Sequence, residues 1–126
     1  VIYICLYHKF ARKSFLDFVN SLNNLNDNEK FQRYKELHKL TDETHLKSWF
    51  RDQVLHPHET QHTLSEVLNI FKKNNYEFSG TSINHFKEDN MEDIQKKEKE
   101  LIEYARAKIE KKIYYPGFFI TAGIKK

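Results

Sequence analysis

The sequence is poor in cysteine, glycine and proline, and it has no long apolar run. Cys5 is the only cysteine. A single thiol excludes an internal disulfide and a thiolate metal cluster, and it suits a reducing compartment, so a cytoplasmic location is expected. Gly80, Gly117 and Gly123 are the only glycines. Gly-x-Gly-x-x-Gly, P-loop and Gly-x-Ser-x-Gly motifs are therefore missing, and with them any cofactor cradle of those kinds. No apolar stretch approaches about 18 residues, so no segment reads as a membrane-spanning helix. Lys9, Arg12 and Lys13 follow the apolar opening, whereas a secretory signal carries its positive charge in front. The net charge is only +3, which gives no indication of nucleic-acid binding.

What is present is aromatic mass in a polar chain. Charged residues make up 31% and the aromatics 14%, ten of them Phe, while the mean hydropathy is −0.78. That much aromatic surface lets a chain pack and argues against disorder. Its 126 residues suffice for one domain. The only methionine is Met91, and the chain opens inside an apolar run. The expectation is a single partial domain over 1–126, cut from a longer chain.

Residues 1–7 (VIYICLY) form a β-branched and aromatic run, which predicts a strand buried on both faces with Cys5 as a small core hydrophobe. Phe15, Phe18, Val19 and Leu22 follow at helical spacing behind Ser14 as N-cap. A helix is expected over 29–40, with Phe31, Tyr34 and Leu37 on one face. A third is expected from Thr41 or Asp42, carrying Leu46, Trp49 and Phe50. Together with the loop behind them these helices make an insertion over about 14–62. Thr63 and Glu66 then form a capping box for a helix with Leu64, Val67, Leu68 and Phe71 on its apolar face. A strand over 76–83, a long solvated helix over 91–112 and a strand after the Pro116-Gly117 turn complete three strands and about five helices.

The segment 52–62 (DQVLHPHETQH) carries the chemistry. Pro57 forces His56 out of the helical region, so this is an irregular loop before a capped helix. Its three histidines titrate near neutrality and are candidate proton acceptors. His58 and His62 are four apart, as in a zinc-binding helix, but the Pro57 before them and the cap at Thr63 place the pair outside a helix, and no metal site is assigned. The bland alternative is that these side chains bond loop backbone and cap the helix. Tyr7 and His8 end the first strand, where open α/β sheets bind ligands.

These residues resemble a known pattern. Leu6-Tyr7-His8-Lys9-Phe10-Ala11-Arg12 is similar to a late strand of the Rossmann-like S-adenosylmethionine-dependent methyltransferases, which in one subgroup reads close to Gly-Leu-Tyr-His/Asn-Lys-Tyr-Gly-Arg. Residues 49–63 (WFRDQVLHPHETQHT) are similar to that subgroup's Trp-Phe-x-Asp-Gln-Tyr-x-His-Pro-His-Glu-x-x-His-Thr. Residues 116–123 (PGFFITAG) look like its last strand. The histidine-rich stretch is the specific part and the end strands are generic.

The resemblance implies the C-terminal, substrate-side portion of a methyltransferase, with the final strand antiparallel between the other two. It implies S-adenosylmethionine held mainly by upstream residues, and a small-molecule acceptor. From their places in the histidine-rich loop and at the end of the first strand, His58 and His62 are the candidate catalytic residues, with Tyr7, His8, Asp52, Gln53, His56 and Glu59 as candidate substrate contacts. Two rivals stay open, a non-enzymatic α/β interaction module and a metal-dependent hydrolase using His56, His58 and His62. An unpaired edge on the first strand also predicts self-association.

Overall fold

The computed structural model describes residues 1–39 and 42–126. The chain is a mixed α/β fold. Strand β1 (Ile2–His8) leads into three helices, α1 (Lys9–Ser21), α2 (Asp27–Leu37) and α3 (Glu43–Phe50), the last running into a π-helical turn, Arg51–Leu55. A two-residue strand β2 (Gln61–His62) precedes α4 (Leu64–Lys73), β3 (Tyr76–Thr81), a 3-10 turn (Ser82–Asn84), α5 (Met91–Glu110) and β4 (Phe118–Lys125). The expected third helix is there, with Asp42 as its N-cap. Leu40 and the Thr41 alternative lie outside the described residues.

The sheet order is β2-β1-β4-β3. β4 is antiparallel to both β1 and β3, which is the placement expected for the last strand. The sheet has four strands where three were expected. The extra one comes from the histidine-rich loop, whose Gln61 and His62 pair in parallel with Tyr7 and His8. Two residues carry no periodicity, so the sequence had no signal for it.

The core is split in two. Phe15, Leu22, Tyr34, Leu37, Leu46, Phe50 and Val54 form a helical core of their own in the insertion. Leu64, Val67, Phe71, Ile94 and Phe119 form the other, between α4, α5 and the sheet, with Ile2, Ile4 and Leu6 against it. Each fully buried Phe or Leu contributes about 2 kcal/mol by removal of apolar surface from water.

Three expectations need correction. β1 is covered on one face only. Ile2, Ile4 and Leu6 are half-buried while Tyr3 and Cys5 are exposed, so Cys5 is not a core residue. The side chains alternate, and among the described residues no helix covers the second face. α1 starts at Lys9 and not behind Ser14, because the His8 Nδ1 accepts from the Phe10 N–H at 3.0 Å and caps it there. α5 is not a purely solvated helix, since it buries Ile94, Ala105 and Glu98.

Gly117 positions the site. Its φ is +82°, and a Cβ there would lie 2.7 Å from the Ala11 carbonyl carbon and the Arg12 nitrogen. Only glycine lets the turn before β4 press against the start of α1. The contact is closed by His8 N–H donating to the Gly117 carbonyl at 2.7 Å. Among the described residues no helix is long and apolar enough to cross a membrane.

Candidate functional site

A cleft of about 530 Å³ opens where the carboxyl end of β1 meets the start of β4, with Tyr7, Trp49, Asp52, Gln53, His58 and Glu59 among its lining residues. Tyr114, Pro116 and Phe118 complete the lining. The β1–β4 register sets Tyr7 opposite Phe118, and their rings stack at 4.3 Å.

Arg12 lies buried behind the cleft lining and holds it together. Its guanidinium is fully buried and binds the Glu59 carboxylate in a fork, Nη2 to Oε1 at 2.8 Å and Nε to Oε2 at 3.1 Å. Nη1 donates to the Pro116 carbonyl at 3.0 Å. The guanidinium also lies 4.0 Å from the Tyr7 ring centroid and 4.1 Å from that of Phe15. Arg12 therefore ties the histidine-rich loop, the Pro116-Gly117 turn and the end of β1 together. Gln61 Nε2 donates to Glu59 as well, at 3.1 Å. Glu59, expected to touch substrate, is thus mainly occupied in holding its loop.

The π-helical turn shapes one wall. His56 N–H donates to the Arg51 carbonyl five residues back, at 2.8 Å, and His56 itself leaves the helical region at φ −135°, ψ 62°, as Pro57 requires. Such an inserted residue changes the angle at which side chains leave a helix. Here Asp52 and Gln53 reach the cleft. The Gln53 Oε1 accepts from the Tyr114 hydroxyl at 2.8 Å and from the Tyr34 hydroxyl at 3.4 Å. That fixes the amide and leaves Nε2 without a partner among the described residues. Burial raises the Tyr7 pKa; Arg12 pulls it down and the Glu59 carboxylate pushes it up, with a net rise. Its hydroxyl stays protonated and is a donor near neutral pH.

Of the eight residues predicted from sequence, Tyr7, Asp52, Gln53, His58 and Glu59 line this cleft, and three do not. His8 is 0% exposed, with Nδ1 capping α1 and Nε2 2.7 Å from the Glu98 Oε2. Neither ring nitrogen is free for a substrate. His56 is exposed and is not among the residues that line the cleft. His62 bonds Glu66 at 2.9 Å through Nδ1 and Thr60 at 2.7 Å through Nε2, so Glu66 of the capping box turns to His62. Of the histidines, only His58 is both in the cleft and without a hydrogen-bond partner among the described residues. No three His, Cys, Asp or Glu side chains among those residues converge as a metal site.

Sequence reasoning missed Arg12, Glu98, Tyr34, Tyr114 and Phe118, and treated Trp49 as packing. Arg12 stood within the conspicuous 6–12 stretch. Glu98 sat among eight acidic side chains over 87–112, with nothing local to single it out. The chain matches no family model, no curated protein and no solved structure.

Proposed function

We propose that this chain is the acceptor-binding, C-terminal part of a Rossmann-like S-adenosylmethionine-dependent methyltransferase. The observation that carries the reading is the gathering of five residues of the resemblance, from two stretches over forty residues apart in sequence, around one cleft at the end of β1. The antiparallel β4 between β1 and β3 supports it. So does the bare sheet face, where Tyr3 is 68% and Ile124 49% exposed, since doubly wound sheets carry helices on both faces.

The residues present do not make a cofactor cradle. A Cβ on Gly80 would press on Phe86, on Gly123 it would press on Phe71, and Gly117 serves the turn against α1. The reading therefore assigns S-adenosylmethionine to residues outside these 126. The sulfonium supplies a reactive methyl group with a good leaving group, and this chain's part is to hold and orient the acceptor. Tyr7 hydroxyl and Gln53 Nε2 donate to it, Asp52 accepts from it, and His58 takes its proton.

The coding sequence upstream of Val1 is expected to specify a strand followed by Asp/Glu-x-Gly-x-Gly-x-Gly; a different upstream fold removes the proposal. In the protein joined to that half, His58→Ala should lower S-adenosylhomocysteine release over a panel of small-molecule acceptors about a hundredfold, with the melting temperature unchanged. His62→Ala should lower stability by about 1 kcal/mol through its lost hydrogen bonds and leave turnover per folded molecule alone. Equal losses of turnover in both variants contradict this assignment. β2 pairs with the expected free edge of β1 only at Tyr7 and His8, so the 126 residues alone should self-associate through the bare sheet face and the remaining length of that edge, and a monomer in sedimentation velocity at high concentration argues against that.

A further inference from the structure

The geometry points to an organic cation as the ligand of the cleft at the end of β1: a protonated amine, which becomes a methyl acceptor once His58 takes its proton, with a quaternary ammonium group as its non-reacting mimic. The inference rests on the proposed acceptor site being this cleft, and it names the chemical class that the site takes.

Charge is the first ground. No Lys or Arg lines the cleft. The Glu59 carboxylate is neutralised by Arg12, and that pair has no charge left to offer a ligand. Asp52 has no ion pair among the described residues and faces the cleft with a full carboxylate. An anionic ligand would meet this charge with nothing to offset it. A neutral apolar ligand would strip water from the carboxylate and give nothing back. A cation answers the charge.

The walls are the second ground. Trp49 is 41% and Phe118 49% exposed, and each has one aromatic neighbour, His38 at 5.0 Å for Trp49 and Tyr7 at 4.3 Å for Phe118. Both rings keep exposed surface. Ring faces carry the negative part of the aromatic quadrupole and attract a cation that has shed part of its water. Tyr7 and Gln53 add two fixed donors that orient the rest of the molecule, and the volume of about 530 Å³ falls in the range of small-molecule sites.

Trp49 is the only tryptophan, so its fluorescence reports this wall alone. The probes are choline and its neutral carbon isostere, 3,3-dimethylbutan-1-ol. Choline should change Trp49 emission saturably, with the isostere about fivefold weaker or more. Asp52→Asn should bring choline close to the isostere, while Asp17→Asn, a surface acid on α1 paired with Lys13, should leave both titrations unchanged. Asp52 is exposed and its substitution does not threaten the fold. Equal binding of the two probes, no saturable response to choline, or equal weakening by Asp17→Asn overturns the inference. The titration needs no cofactor. Failure of methyl transfer with choline binding intact removes the methyltransferase reading and leaves this site standing; transfer to uncharged acceptors with no choline response removes only this inference.

Discussion

Glu59→Ala should lower the unfolding free energy by about 3–5 kcal/mol, the range for removing one partner of a buried ion pair. The Arg12 side chain is 0% exposed and that of Glu59 12%. Without Glu59 the guanidinium keeps the Pro116 carbonyl and two ring faces, but no opposite charge. Arg12→Met should do less harm, because Glu59 stands at the cleft wall and can turn to water. The double variant Arg12→Met with Glu59→Leu should recover most of the loss, since a hydrophobic pair of similar volume avoids desolvating two charges. Urea midpoints read by Trp49 fluorescence give all three values. A loss under about 1 kcal/mol for Glu59→Ala would mean that the pair is solvated and that something else positions the loop. The functional consequence is separate from the stability loss: His58 neighbours Glu59, so both single variants should also weaken ligand binding in the cleft.

What the sequence revealed followed local rules. The apolar face of α4 and its Thr63 cap needed only spacing, and Pro57 announced its effect on His56. The strands were visible as apolar runs, but not their exposure. With apolar residues at both odd and even positions, β1 looked the same whether one face or two were covered, and only the placement of helices decides that. The cleft was half legible. Tyr7, Asp52, Gln53 and His58 stood in conspicuous segments. The groups that assemble them did not, because their partners are remote: Arg12 meets Glu59 across 47 residues and His8 meets Glu98 across 90. A histidine at the end of a strand reads as a ligand group until the acid that binds it is located. The π-helical turn, which aims Asp52 and Gln53, has no composition of its own to give it away.

Glu98 is the second place where one substitution should be severe. Its Oε2 accepts from the His8 Nε2 and from the Leu64 backbone N–H, both at 2.7 Å. The Leu64 amide belongs to the first turn of α4, one of the donors a helix leaves without an internal partner, and the positive end of the helix favours a carboxylate there. One side chain on α5 therefore joins the cap of α1, through His8, to the start of α4. Glu98→Ala strands two buried donors at about 1–3 kcal/mol each, for an expected loss of about 3–5 kcal/mol. Glu98→Gln keeps a neutral acceptor and should lose about half as much. Acid separates the charge from the hydrogen bonds. Burial pushes the Glu98 pKa up, but the bonds from His8 and Leu64 outweigh it and hold the carboxyl below its usual value of 4.5. Because the folded value is the lower one, the charge stabilises the fold fully above about pH 4.5, and that part is lost as pH falls through the folded value. The stability gap between the native chain and Glu98→Gln should therefore be constant from neutral pH down to about pH 5 and narrow below it. Denaturant midpoints across that interval measure the gap. A gap that widens on acidification would mean that Glu98 is already protonated in the folded chain, and that His8 and Leu64 donate to a neutral acid.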